Sequence, residues 1–119
     1  MGTQKSVLLV AYQPELLDPH ARVFTAAGFF VQRAASLSAG LGAVGPGNVD
    51  LLVLAPGIPM GDRRRIEGEA KRRNHNIRIV LLYSGEKERD VFASAILDIA
   101  TPAEEIVTHA RQWFTDAVA

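Results

Sequence analysis

Short continuous apolar runs alternate along the chain with stretches whose apolar residues recur every three or four positions. Ser6 to Ala11 (SVLLVA), Asp50 to Ala55 (DLLVLA) and Ile77 to Tyr83 (IRIVLLY) are runs of the first kind, with shorter ones at Phe29 to Ala34 and Ala95 to Ile99. Uninterrupted apolar runs of this length fit strands buried on both faces. Between them, Leu16, Leu17, Ala21, Phe24 and Ala27 form a helical stripe that opens at Pro14 and closes at Gly28. A weaker, glycine-rich helix is predicted from Leu37 to Val44. A polar one follows from Asp62 to Asn74, where Glu67 with Lys71 and Glu69 with Arg73 are spaced as i,i+4 pairs. A short helix is predicted from Glu86 to Ser94. In the last helix, Thr101-Pro102-Ala103-Glu104 reads as a capping box with proline at the first helical position, and Ile106, Val107, Ala110, Trp113, Phe114 and Ala117 share one face.

Strands that alternate with helices imply parallel pairing through right-handed crossovers. The expected fold is α/β: a three-layer, doubly wound, five-stranded parallel sheet of flavodoxin-like order 2-1-3-4-5. With 119 residues, no internal repeat and no linker-like segment, one domain over 1–119 is expected.

Composition narrows the chemistry. The formal net charge is zero and 48% of residues are apolar, the balance of an ordinary globular protein. Cysteine is absent, which removes disulfides, thiolate metal sites and cysteine nucleophiles. The first apolar run is too short for a secretory signal or a membrane span, so a cytoplasmic protein without membrane association is expected.

Residues 7–17 (VLLVAYQPELL), the Ala27-Gly28-Phe29 step and residues 50–62 (DLLVLAPGIPMGD) together resemble the response-regulator receiver domain family across nearly the whole chain. In that register Pro59 and Asp62 fall on the usual proline and aspartate of the loop after the third strand. The residues that carry the family's phosphorylation chemistry are replaced: Ala11 and Tyr12 stand for the metal-binding acids, Ala55 for the phosphoacceptor, Tyr83 for the hydroxyl residue ending the fourth strand, and Ile99 for the lysine. The segment from Tyr83 to Ile99 is also shorter than the family's, which puts its fourth helix in question. The resemblance thus implies a two-component signal-transduction scaffold, a pseudo-receiver, with a degenerate phosphorylation pocket.

Phosphoryl transfer to a receiver needs a carboxylate nucleophile, a divalent cation held by carboxylates, and donors at the developing charge. An alanine methyl supplies none of these, so no magnesium-dependent phosphorylation, no metal and no cofactor is expected. Asp98 or Asp62 as a weakened acceptor is the less expected alternative, and Asp62 lies too far around the loop to substitute without rebuilding it. His20, His75 and His109 are widely separated and read as surface or satisfied histidines rather than ligands.

Arg63, Arg64 and Arg65 open a helix whose dipole they oppose, and they would sit where doubly wound folds bind ligands, which makes them a candidate anion site. Charge runs more often form a solvated helix face. Tyr12 and Tyr83 could stack on a ligand in the vacated pocket, although filling its volume is the commoner outcome. Phe92, Arg111, Trp113 and Phe114 form a candidate interaction face, against the plainer reading of Trp113 and Phe114 as core anchors. Zero net charge argues against nucleic acid as a partner.

The leading expectation is therefore a phosphorylation-independent module acting through a protein partner or a homodimer. The alternative is a small-ligand or anion sensor at the carboxyl ends of the strands. An enzyme finds no nucleophile–base pair, metal cluster or cofactor fingerprint to support it.

Overall fold

A computed structural model describes residues 4–116. The elements run β1 (Ser6–Val10), a 3-10 turn (Pro14–Leu17), α1 (Asp18–Ala26), β2 (Phe30–Ala34), α2 (Leu37–Val44), β3 (Leu51–Leu54), α3 (Met60–Arg73), β4 (Arg78–Tyr83), β5 (Ala95–Asp98) and α4 (Ala103–Asp116). The five strands form one all-parallel sheet in the order β2-β1-β3-β4-β5, as the alternation of runs and stripes predicts.

β3 carries no polar side chain, and β1 and β4 carry them only at their ends, because both faces of these strands are covered. Val7, Leu9, Leu51, Val53, Val80 and Leu82 pack with Leu17, Phe24, Ile106, Val107 and Ala110, so α1 and α4 share one face. Leu8, Val10, Leu52, Leu54, Ile79 and Leu81 pack with Val44, Ile66 and Ala70, so α2 and α3 share the other. The α2–α3 contact is close: a Cβ at Gly40 would meet the end of the Ile66 side chain at 3.0 Å, and that side chain would have to give by a few tenths of an ångström. Gly47 has φ +78° and lies so close to the end of α3 that a Cβ would stand 2.9 Å from the Arg73 carbonyl oxygen.

Several local expectations are corrected. The proline-led stretch from Pro14 starts as a 3-10 turn, and the α-helix begins only at Asp18. The polar helix starts at Met60 with Pro59 as its cap, which moves Arg63 to Arg65 beyond the first turn, where the dipole penalty is weaker. The last helix starts at Ala103. The Pro102 carbonyl accepts from Glu105 and Ile106, so proline stands at the cap rather than at the first helical position. Ala117, assigned to the buried stripe of that helix, lies outside the described residues.

The helix expected from Glu86 to Ser94 is not formed. Asp90 prevents it locally: its side chain accepts the Phe92 N–H at 2.9 Å and its carbonyl accepts the Ala93 N–H at 3.3 Å, a turn that competes with helical hydrogen bonding. Ser94 then joins β4 through both its N–H and its hydroxyl on Ile79. No helix among the described residues is long and apolar enough to cross a membrane.

Candidate functional site

The carboxyl ends of β1, β3 and β4 converge because these strands are neighbours in register. Just beyond them, Ala11 and Ala55 are buried at 3% and 1% exposure, and their N–H groups extend the sheet by donating to Ala34 and Val10. Tyr83 ends β4 half-buried, and its carbonyl accepts the Ile99 N–H at 2.8 Å. Ile99 packs against the same apolar cluster as Ala11 and Ala55. The four predicted positions Ala11, Ala55, Tyr83 and Ile99 are thus gathered at one end of the sheet, and methyl and methylene groups dominate there.

Tyr12 leaves that end and leans over the α2–α3 face, where its phenol donates a 2.8 Å hydrogen bond to Asp62 in the first turn of α3. Burial, followed by the Asp62 hydrogen bond and charge, pushes the Tyr12 hydroxyl up to about 12. It remains a donor across the physiological range. Asp98, the other carboxylate near the strand ends, accepts the Ala100 N–H at 2.8 Å.

The three arginines do not act as a group. Arg63 is only 4% exposed; it turns into the loop after β4 and pairs with Glu88 at 2.9 Å and Asp90 at 3.5 Å. Arg64 and Arg65 stay exposed and have no salt bridge among the described residues. Of the two helical pairs expected on α3, Glu69–Arg73 forms at 2.8 Å and is shared with Arg72. Glu67–Lys71 does not form, because Glu67 is fully buried and Lys71 donates instead to the Ile77 carbonyl.

The four residues of the candidate interaction face are divided by the sheet. Phe114 packs on Phe29 with ring centres 6.2 Å apart, and Arg111 donates to the Ala27 carbonyl, both on the α1–α4 side. Trp113 is half-buried there beneath the Arg78 guanidinium, 5.8 Å from its ring centre. Phe92 is 41% exposed on the loop beside Arg63 and Arg64, and the neighbouring Ala93 packs on the opposite, α2–α3 side. A cleft of about 520 Å³ near Trp113 holds Lys5, Lys71 and Arg78. Their charges already meet Phe114, the Ile77 carbonyl and Trp113 respectively.

Two buried polar groups escape a sequence reading. His20 is 5% exposed with no partner for either ring nitrogen, which corrects its assignment as a surface or satisfied histidine. Burial depresses its pKa, and Glu104 pulls weakly the other way. The second is Glu67 with Arg63 on α3, facing Asp90. Arg63, Ile66, Glu67 and Ala70 are all buried at i, i+3, i+4, i+7 spacing. That stripe is visible in the sequence once charged residues are allowed into it. Among the described residues, no group of three or more histidine or acidic side chains is arranged to hold a metal ion.

No protein-family model matches the chain, and no curated protein sequence matches it. Solved structures do. A CheY-like response regulator receiver domain protein from Methanospirillum hungatei JF-1 superposes with TM-score 0.81 at 16% identity, covering 96% of both chains. The chain has the receiver fold. The response regulator TrrA from Thermotoga maritima, solved in complex with Mg(2+)-BeF, gives TM-score 0.77 at 19% identity over 92% of this chain and 99% of that one. The complex of the P1 domain of CheA3 with CheY6 from R. sphaeroides gives 0.76 at 21% identity over 96% and 99%. In this receiver fold, the loop of residues 84–94 between β4 and β5 crosses the α2–α3 face without a helix.

Proposed function

We propose that this chain is a phosphorylation-independent, receiver-like signalling module over residues 1–119, acting by association with a protein partner or a second copy of itself. The observation that carries this reading is Ala55: a methyl group at 1% exposure stands at the end of β3, where an acyl phosphate would need an accessible carboxylate. The surrounding chemistry supports it. Ala11 offers no metal ligand, the Asp62 carboxylate accepts the Tyr12 phenol, and Asp98 closes its own turn. A protein of this fold bound to another protein has a precedent in the complex of the CheA3 P1 domain with CheY6.

The contact surface is drawn from exposed Phe92 on one side of the sheet and half-buried Trp113 and Phe114, beside exposed Arg111, on the other. Enzymatic chemistry and a resident cofactor have no part in this reading. The anion-sensor alternative loses Arg63 to Glu88 and Asp90, and no other observation favours it.

The test is intact-mass spectrometry after incubation with acetyl phosphate and magnesium, beside sedimentation velocity over a concentration series. The expected mass is unchanged. A gain of one phosphoryl group that hydroxylamine removes would overturn the reading. Concentration-dependent association would identify the second copy as the partner, whereas a strict monomer would point to another protein.

A further inference from the structure

The loop of residues 84–94 stands where a helix was expected, and besides Ala93 packing and the Ser94 hydrogen bonds to β4 it is anchored to α3 by charge. Its inward side brings Asp90, with a side chain 3% exposed, against α3, where Arg63 is 4% exposed and Glu67 is completely buried. Its outward side carries Val91 at 94% exposure and Phe92 at 41%. Four buried polar atoms at this contact have no hydrogen-bond partner: both carboxylate oxygens of Glu67, Oδ2 of Asp90 and Nε of Arg63. Arg63 Nε and Asp90 Oδ2 face each other at 3.5 Å, which leaves the Glu67 oxygens with no donor.

Ionised, Glu67 and Asp90 would be two buried acceptors beside one guanidinium that Glu88 also holds. Such an arrangement carries both a desolvation cost and a repulsion. A single proton on Glu67 removes both defects, since the carboxylic acid becomes the missing donor and hydrogen-bonds to Asp90. We propose that this shared proton latches the 84–94 loop onto α3, so that rising pH loosens the segment presenting Val91 and Phe92. The consequence for partner contact rests on the association reading above; the latch itself does not.

The groups facing Glu67 come from two elements. On α3, Arg63 and Arg64 favour its ionised form, while Lys71 is held by the Ile77 carbonyl. On the loop, Asp90 opposes ionisation, Glu88 draws the Arg63 guanidinium away, and Arg89 lies beside Asp90 near Arg63. The adjoining α2 and β3 contain no charged residue. Burial is the largest influence and Asp90 the next, and together they raise the Glu67 carboxyl from 4.5 to about 8. The folded state therefore holds a proton that the unfolded state releases. The latch's contribution is complete below pH 4.5 and declines as pH rises to about 8.

The experiment is an NMR titration of the full chain from about pH 3.5 to 10, following the Glu67 carboxyl carbon together with the amides of Phe92, Ala93 and Ser94. The expected result is one shared transition near pH 8 in the carboxyl and the loop amides, and loop amides that no longer titrate in Glu67→Gln, whose amide replaces the proton as donor to Asp90. A Glu67 carboxyl that titrates near 4.5 overturns the proposal, and so do loop amides that stay flat while Glu67 titrates or that move equally in Glu67→Gln. Because the wild-type carboxyl reports directly, the test holds even if the variant folds poorly. Phosphoryl uptake in the acetyl phosphate experiment would sink the functional reading and leave the latch standing; a flat titration would do the reverse.

Discussion

The Tyr12 phenol and the Asp62 carboxylate, fifty positions apart in sequence, meet in a 2.8 Å hydrogen bond that ties the end of β1 to the start of α3. The contact sets a neutral donor against a single acid on the α2–α3 side of the strand ends. A receiver-type pocket would instead place carboxylates together there, and two of them about 5 Å apart would repel by roughly 3 kcal/mol at an effective dielectric of 20.

Tyr12→Phe deletes that donor and leaves Asp62 to the solvent on its open side. We expect a loss of about 1 kcal/mol in urea denaturation with an unchanged m-value. Asp62→Asn, which keeps an acceptor, should lose less.

Ala55→Asp restores the missing carboxylate without the acids that would hold a metal beside it. Burying an unpaired charge at a site 1% exposed is expected to cost at least about 2 kcal/mol. Adding magnesium should recover none of that loss in a thermal melt, and intact mass should show no phosphoryl gain. Stabilisation by magnesium would mean that other groups near the strand ends assemble a metal site.

Arg63 and Arg64 are adjacent in sequence and should behave differently. Arg63→Met leaves Asp90 and Glu88 without their cation, with Asp90 still buried, and should cost about 3 kcal/mol. Arg64→Ala, on the exposed side, should stay within about 0.5 kcal/mol. Urea denaturation of both variants checks the contrast.

His20 is buried with its pKa depressed, so the unfolded chain binds a proton that the folded chain resists. Stability is therefore present above the unfolded value near 6.5 and is lost as pH falls below it. His20→Leu removes two unpartnered nitrogens and should gain about 1 kcal/mol at neutral pH, with a larger margin over wild type at pH 5. Melting temperatures from pH 5 to 8 test the sign. A margin that shrinks on acidification would show that His20 protonates comfortably in place.

The number of strands, their parallel order and the inward stripe of α4 were all legible in the sequence. Continuous apolar runs and one-face helical spacing are local patterns, and a sheet covered on both sides leaves them few ways to close. The clustering of Ala11, Ala55, Tyr83 and Ile99 at one end of the sheet followed from the same register. The fates of charged residues were not legible. Arg63 and Glu67 looked like members of a solvated face because helical periodicity says which residues share a side, not what lies against it. Asp90 looked like part of a helix because local spacing does not reveal that its carboxylate would turn the chain at Phe92 and then meet α3. The sequence determined the scaffold through short-range apolar pattern. Only the tertiary structure decided which charges were taken out of water, because the cost of burial depends on partners distant in sequence: Glu67 with Asp90, and Tyr12 with Asp62.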